Sequence, residues 1–220
     1  MNLILIGLPG AGKGTQAKKI SQEYNIPHIS TGDIFRKLIE QKTPLGRKAE
    51  KYINKGELVP DEDTIKLIKE QFNEKDILQG FILDGFPRTM PQVRALQEIL
   101  NNCNQELDLV FNIDVDLEEL VKRISGRRVC NACGDTYHLV YNPPQKDGIC
   151  DKCGNKLIQR KDDRKKTVRV RIEKHAAQLR DIKEYYNSRG ILKTVSAEGI
   201  KELFNKIKKI IEVEINDDNS

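Results

Sequence analysis

The chain has no long hydrophobic run. Its 220 residues contain no apolar stretch near the ~20 residues that a membrane-spanning helix needs. No hydrophobic segment precedes a cleavage site either, so we expect neither a membrane span nor a targeting segment. The apolar fraction of 38% and the charged fraction of 32% are typical of a soluble globular protein. We therefore expect a cytoplasmic protein.

Net charge is also small. The chain carries 38 basic and 33 acidic side chains, a net charge of +5 that is spread along the sequence. This excess favours anionic ligands, but it is too weak to indicate a nucleic-acid partner.

Cysteine is scarce and clustered. Four of the five cysteines form two Cys-x-x-Cys pairs, each followed by glycine and separated by sixteen residues: Cys130, Cys133, Cys150 and Cys153. This pattern favours a metal site in a reducing compartment over disulfides. Four thiolates complete a tetrahedral zinc site, so we predict a structural role. Iron can occupy such ligands too. Cys103 lacks a partner at such a spacing, and we interpret it as a plain thiol.

The N-terminal stretch predicts a phosphate-binding loop. An apolar strand over residues 3–6 leads into glycines at 7, 10, 12 and 14, and a helical pattern follows from Lys13. Backbone N–H groups and a helix N-terminus then face one small volume, and Lys13 would reach the outer phosphates of a nucleotide. Gly14 stands where the pattern expects Ser or Thr, and the hydroxyl comes one residue later at Thr15. We expect the chain to bind a nucleoside triphosphate.

Alternating strand and helix patterns predict the overall architecture. They indicate an α/β fold like that of phosphate-loop NTPases, with a parallel five-stranded sheet flanked by helices. Two stretches interrupt the alternation: a small helical insertion over 30–59 and a β-rich insertion over 126–163 that carries the cysteines. The predicted core therefore comprises residues 1–29, 60–125 and 164–220.

Asp84 is the candidate magnesium ligand. It ends an apolar strand, and the carboxyl end of a parallel strand would lie beside the phosphate loop. There a carboxylate can hold Mg²⁺ directly or through water. Ser30 and Asp33 have the spacing of a capping box, which explains both residues but not Arg36, one turn further on, unless Arg36 pairs with a neighbouring acid.

Arginines come from three parts of the chain. Arg36 lies in the first insertion, Arg127 and Arg160 lie in the second, and Arg88 and Arg171 belong to the core. Phosphoryl transfer depends mostly on positioning and on charge neutralisation, and guanidinium groups suit both tasks.

Four motifs together resemble one family. They are Gly7-Leu-Pro-Gly-Ala-Gly-Lys-Gly-Thr15, Ser30-Thr-Gly-Asp33, Asp84-Gly-Phe-Pro-Arg-Thr89 and the four-cysteine insertion. In this order they resemble the adenylate kinases with a long, zinc-bearing lid, and the likeness covers essentially the whole chain. The resemblance implies the reaction Mg-ATP + AMP ⇌ 2 ADP in a monomer that binds ATP, AMP and ADP but neither nucleic acid nor membrane. It implies structural Zn²⁺ in the lid and Mg²⁺ with ATP.

The resemblance also assigns site residues. ATP contacts fall on Gly10, Ala11, Gly12, Lys13, Gly14, Thr15, Arg127, Tyr137 and Arg160. AMP contacts fall on Thr31, Arg36, Glu57, Val59, Gly85, Arg88, Gln92 and Arg171. The residues implied around the transferring phosphoryl group are Lys13, Arg36, Arg88, Arg127, Arg160 and Arg171. Asp162 and Asp163 resemble the paired aspartates at the base of the lid. One turn departs from the family pattern, since residues 196–199 read Ser-Ala-Glu-Gly, and the adenine contact at Gly199 stays open.

Two alternatives remain at this point. One is another nucleoside monophosphate kinase, acting on CMP, UMP or GMP; the long lid and Gln92 argue against it. The other is a zinc-ribbon ATPase that binds nucleic acid. Residues 126–163 hold seven basic and five acidic side chains, and four thiolates on one divalent ion would cancel that excess. An insertion without net positive charge offers little electrostatic attraction to the phosphate backbone of a nucleic acid.

Overall fold

The computed structural model describes residues 1–74, 77, 79–163, 165–196 and 199–217. The first half of the chain runs β1 (Asn2–Ile6), α1 (Lys13–Tyr24), β2 (His28–Ser30), α2 (Thr31–Glu40), α3 (Pro44–Ile53), α4 (Asp61–Glu74), β3 (Phe81–Asp84) and α5 (Met90–Asn102). The second half runs β4 (Leu109–Ile113), α6 (Leu117–Gly126), β5 (Arg127–Cys130), β6 (Thr136–His138), β7 (Leu157–Ile158), a 3-10 turn (Lys161–Asp163), α7 (Lys165–Ser188), β8 (Leu192–Val195) and α8 (Ile200–Asp217).

Side-chain caps fix where several helices begin. Ser30 Oγ accepts a hydrogen bond from the Asp33 N–H at 3.3 Å, so the predicted cap of α2 is confirmed. Thr43 caps α3 in the same way, and Thr89 caps α5. Each cap satisfies an N–H group that the first helical turn leaves without a partner.

The five-stranded sheet is parallel throughout, as predicted. Its strand order is β2-β3-β1-β4-β8. Leu5 in the central strand β1 pairs with Asp84 of β3 on one side and with Phe111 of β4 on the other. The carboxyl ends of all five strands therefore lie at one edge of the sheet, where such folds bind ligands.

Alternating residues of β1 divide the core between the two faces of the sheet. Leu3 and Leu5 belong to one buried cluster, and Ile4 and Ile6 belong to the other. Helices α1, α6 and α8 cover the first face, whereas α4 and α5 cover the second. Helix α7 contributes to both clusters, so it ties the two layers together.

Two smaller units extend from the sheet. Helices α2 and α3 contact each other and share a separate small apolar cluster around Phe35 and Ala49. Strands β5, β6 and β7 form an antiparallel sheet in the order β6-β5-β7. Among the helices that the structure describes, none has the length and apolar character to cross a membrane.

Candidate active site

A large cleft lies at the carboxyl edge of the parallel sheet. Its volume is about 1130 Å³, and a smaller cavity of about 60 Å³ adjoins it beneath α2 and α3. All nine residues expected to contact ATP line the large cleft. All eight residues expected to contact AMP line the small cavity. The fold thus gathers the two groups of residues into two adjoining spaces.

The phosphate loop connects β1 to α1 with Lys13 folded over it. Lys13 Nζ donates to the carbonyl oxygens of Gly7 at 2.8 Å and Leu8 at 3.0 Å. Burial lowers the pKa of Lys13 to about 7, although the charge on Asp84 works against the change. An incoming phosphate would favour the protonated amine, because an adjacent negative charge raises the pKa of a cation. Gly10 has a φ of +87°, and a Cβ there would lie 2.6 Å from Cγ1 of Ile124.

Asp84 lies directly against the phosphate loop. A Cβ placed on Gly14 would be 3.2 Å from Asp84 Oδ2, so a side chain at this position would crowd the carboxylate. Burial would raise the pKa of Asp84, but the nearby imidazole of His28, 3.8 Å away, and the charge on Lys13 outweigh it, and the pKa lies below its usual value. The carboxylate is therefore ionised at neutral pH, as a magnesium ligand must be.

Two buried aspartates hold two of the arginines. Arg127 forms a bidentate pair with Asp163, with Nε–Oδ2 and Nη2–Oδ1 distances of 2.8 and 2.5 Å. Arg171 Nη1 lies 2.8 Å from Asp162 Oδ2 and 3.3 Å from Asp163 Oδ1. The Asp163 side chain is fully buried. Such paired geometry fixes the direction in which each guanidinium points.

The other three arginines are held more loosely. Arg36 pairs with the neighbouring acid Asp33 at 2.6 Å, so it has a structural partner as well as a place at the cleft. Arg88 Nε donates to the carbonyl of Gly85 at 2.7 Å. Burial lowers the pKa of Arg160 to about 9, and neighbouring guanidinium groups add to the effect. The buried Nε of Arg160 has no hydrogen-bond partner among the described residues. An anion placed there would supply the missing acceptor.

Neutral hydrogen bonds order the wall of the small cavity. Gln92 Nε2 donates to Asp61 Oδ1 at 2.7 Å, while Gln92 Oε1 accepts from the N–H of Arg88 at 2.8 Å. Thr31 Oγ1 donates to the Gly85 carbonyl at 2.8 Å. These contacts connect α2, α4, α5 and the loop after β3, so the cavity wall forms where four separate elements meet.

One further cavity residue joins the first insertion to α7: Glu57 pairs with Lys174 at 2.7 Å. Val59 instead packs in the small apolar cluster with Phe35 and Ala49.

The four predicted ligands cluster in the antiparallel sheet. The sulfur atoms of Cys130, Cys133, Cys150 and Cys153 all lie within 4.8 Å of one another. The Cys130–Cys153 and Cys133–Cys150 sulfur distances are 3.4 and 3.5 Å. Tetrahedral zinc with Zn–S bonds of about 2.3 Å places its sulfurs about 3.8 Å apart, so the donor set fits this ion.

The two Cys-x-x-Cys turns have the same local structure. In each turn the glycine N–H bonds the carbonyl of the first cysteine at 2.9 Å, from Gly134 to Cys130 and from Gly154 to Cys150. Tyr137 lies beside this cluster: its hydroxyl is 3.5 Å from Cys150 Sγ and accepts from the Asp151 N–H. The metal cluster and the wall of the large cleft therefore share Tyr137, which also lines the cleft.

The antiparallel sheet is closed over the cleft in this structure. Lys18 of α1 donates to the Gly134 carbonyl at 2.9 Å and lies 3.8 Å from Asp135. On the opposite side, Arg160 lies 3.8 Å from Asp33 of α2. The two insertions therefore contact each other across the substrate space, and residues 126–163 also contact the core.

Several site residues were missed by the sequence analysis. His28 lies in β2, and its Nε2 is 3.8 Å from Asp84 Oδ2. Asp61 starts α4, and its carboxylate positions Gln92. Lys18 and His175 carried no local signal, although both line the large cleft. For His28 a signal existed, since β2 ends at the same edge of the sheet as β3.

The divergent turn before α8 is partly described. Ala197 and Glu198 lie outside the described residues, whereas Gly199 and Ile200 line the large cleft. Gln16 Nε2 donates to the Ile200 carbonyl at 3.0 Å, which fixes the start of α8 against α1.

Comparison of the chain with known protein sequences identifies its family. The sequence model of the family described as adenylate kinase matches residues 5–191. A relative named adenylate kinase from Staphylococcus epidermidis is 51% identical over 213 residues, which cover 96% of this chain and 99% of the relative. Relatives of the same name come from Geobacillus sp. (50% over 212 residues; 96% and 98% covered) and Staphylococcus aureus (49% over 213 residues; 97% and 98% covered). The chain belongs to the adenylate kinase family, a group of nucleoside monophosphate kinases.

Proposed function

We propose that this protein catalyses the reversible transfer of a phosphoryl group, ATP + AMP ⇌ 2 ADP, and so balances the three adenine nucleotides. The main support is the convergence of Lys13 and five arginines on two adjoining cavities at one sheet edge. In-line transfer requires two phosphate chains to meet end to end in a cation-rich space. The two cavities supply that arrangement.

ATP would occupy the large cleft. The loop over Gly10–Thr15 offers backbone N–H groups to the phosphates, and Lys13 would leave the Gly7 and Leu8 carbonyls to follow the transferred group. Arg127 and Arg160 would bind the outer phosphates from the second insertion. Mg²⁺ with ATP would neutralise phosphate charge, and Asp84 would hold it, directly or through water.

AMP would occupy the small cavity. Thr31, Glu57, Val59, Gly85 and Gln92 would line its nucleoside and sugar end, with neutral hydrogen-bonding groups, one apolar contact and one carboxylate, Glu57, whose charge Lys174 compensates. Arg36, Arg88 and Arg171 lie where this cavity opens into the cleft, so they would bind the AMP phosphate. This division gives the uncharged base a mostly neutral environment and gives the phosphate three cations.

Charge neutralisation and exclusion of water would accelerate the transfer. No general base is required, because a loose phosphoryl transition state needs positioning more than proton removal. The closed contacts of residues 126–163 would keep water away from the reacting phosphate, since water would otherwise hydrolyse ATP.

We propose three structural units. Residues 1–29, 60–125 and 164–220 form the core, residues 30–59 bind the monophosphate, and residues 126–163 form the lid. Structural zinc on Cys130, Cys133, Cys150 and Cys153 would hold the lid as one rigid unit, because four thiolates leave no position for substrate. We propose further that the protein is a cytoplasmic monomer that does not bind nucleic acid.

A coupled assay tests the proposal. Purified, zinc-loaded protein with Mg²⁺, ATP and each of AMP, CMP, UMP and GMP should form ADP fastest with AMP. Preference for another monophosphate would indicate a kinase of different specificity, and absence of ADP with all four would refute the proposal. Metal analysis by mass spectrometry should find about one zinc per chain; iron would correct the choice of ion.

Retention of labelled DNA or RNA that weakens steeply with salt would contradict the expected lack of nucleic-acid binding.

A further inference from the structure

The boundary between the two cavities is formed by few residues. In the described part of the chain, six residues line both spaces: Gly32, Arg36, Gly85, Arg88, Arg171 and His175. Two of these are glycines and three are arginines already expected to bind phosphate. His175 is the sixth, and nothing in its local sequence on α7 marks it as functional.

The His175 imidazole faces this boundary without a protein partner. The residue is half-buried, one turn after Arg171 on α7. Within the residues that the structure describes, its side chain forms neither a hydrogen bond nor an ion pair. An imidazole that faces a polar cleft and forms no hydrogen bond with the protein can offer both its donor and its acceptor to a ligand.

The electrostatic surroundings keep this imidazole neutral before substrate binds. Burial lowers the pKa of His175 to about 2, and the neighbouring cations contribute in the same direction. These cations are Arg88, Arg171 and Lys13. Asp162, which also lines the small cavity, is already paired with Arg171. A neutral ring can therefore donate a hydrogen bond without adding another positive charge to a crowded group of cations.

We propose that His175 is a substrate-binding residue at the boundary of the two cavities, where its imidazole hydrogen-bonds the phosphate of the bound nucleoside monophosphate. The inference rests on the proposed function, since it concerns the same site. It predicts that phosphate binding raises the pKa of His175, because a dianion offsets the surrounding cations and favours the imidazolium.

Substitution at position 175 gives the first test. His175→Phe keeps a planar ring and removes both nitrogens, and it should raise KM for AMP about tenfold, as expected for losing a hydrogen bond to a charged group. KM for ATP should change less than about twofold. His175→Gln, which retains a donor and an acceptor, should recover much of the AMP affinity. Glu173→Gln, exposed on the same helix and outside both cavities, is the matched control.

A second test uses the unaltered protein. The chain has three histidines, so the imidazole ¹⁵N and ¹H resonances of His175 are assigned by comparison with His175→Gln. Saturating AMP should move the His175 resonances and raise the apparent pKa of the ring. His138, in the lid, and His28, outside the small cavity, provide internal references.

The outcomes separate the two proposals. If the unaltered protein makes ADP from ATP and AMP, but AMP leaves the His175 resonances unmoved and His175→Phe retains its KM for AMP, the inference about His175 is wrong and the proposed function stands. If the unaltered protein makes no ADP, the proposed function itself fails. If His175→Phe raises KM equally for ATP and AMP and also lowers the Tm, His175 has a purely structural role, which would overturn the inference as well.

Discussion

The parallel-sheet core and the cysteine-bearing lid are stabilised by different means. The core buries two large apolar clusters, one on each face of the sheet. The lid's own cluster has three buried residues, Cys130, Tyr137 and Cys150, and two of them are predicted metal ligands. Its β7 strand has two residues. The core can fold on hydrophobic burial, whereas we expect the lid to depend on a metal bound by the four cysteines, because so few apolar contacts cannot offset the entropy of ordering about forty residues.

This difference has a functional consequence. The groups that must stay fixed, the phosphate loop and Asp84, follow buried strands of the core. In the proposed mechanism the groups that move are Arg127 and Arg160, which belong to the lid, and the lid's contacts with α1 and α2 involve the charged side chains Lys18 and Arg160. Apolar burial provides rigidity, while polar contacts at a mobile interface can open and close at small cost.

Lys13→Met should have the largest effect and should separate chemistry from stability within the core. Removing a cation that follows the transferred phosphoryl group should lower kcat by about 10³-fold, near 4 kcal/mol. The Tm should change by less than about 2 °C, because Lys13 contacts only loop carbonyls in the free protein. Steady-state kinetics and calorimetry test this; a large fall in Tm would mean that the lysine is part of the fold.

Phe111→Ala should destabilise the core as one unit. Phe111 lies fully buried in β4 against the central strand, and its truncation should cost about 3–5 kcal/mol of unfolding free energy. The Tm should fall by about 10 °C in a single transition. Activity at 25 °C should persist, since no substrate group contacts this side chain. Val195, buried in the edge strand β8, provides a milder control through Val195→Ala.

The double variant Cys130→Ser/Cys133→Ser should remove metal binding by the lid and leave the stability of the core unchanged. The protein should lose its metal, and calorimetry should show the core transition close to that of the unaltered chain. Activity should fall about 10²-fold, because Arg127 and Arg160 would lose their fixed positions. Cys103→Ser, which lies outside the cluster, is the control. Unchanged metal content together with unchanged activity would refute a structural metal site.

Lys18→Gln should have the smallest effect. Its amine bonds the Gly134 carbonyl and lies near Asp135, so it holds the closed lid against α1. An exposed contact of this kind is worth about 0.2–1 kcal/mol, which predicts a rise of at most about fivefold in KM for ATP. High salt should reduce the difference from the unaltered protein. Lys208→Gln, whose partner Glu23 also lies on α1 but outside the cleft, should leave KM unchanged.

Local sequence patterns determined much of the core and the metal cluster. The phosphate loop, the cap at Ser30 and the two Cys-x-x-Cys turns depend on residues within a few positions of one another. Their geometry follows from backbone hydrogen bonds and side-chain size, so the local sequence was enough to predict them. The position of Asp84 beside the loop followed from one further rule, that parallel strands end at the same edge.

Pairings between distant residues could not be predicted in this way. The charged stretch from Arg160 to Lys166 resembles a solvated surface in sequence, yet Asp162 and Asp163 are buried. They are buried because Arg127 and Arg171 approach them from other elements and compensate the charge.

The sequence by itself determined the kind of chemistry: a phosphate loop, a set of arginines and four thiolates at metal-binding spacing. Only the tertiary structure decided which aspartate holds which arginine, that Lys18 contacts the lid, and that His175 lies where the two cavities meet. The physical reason is that the first group of features depends on short stretches of backbone, whereas the second depends on how helices far apart in the chain pack around one sheet.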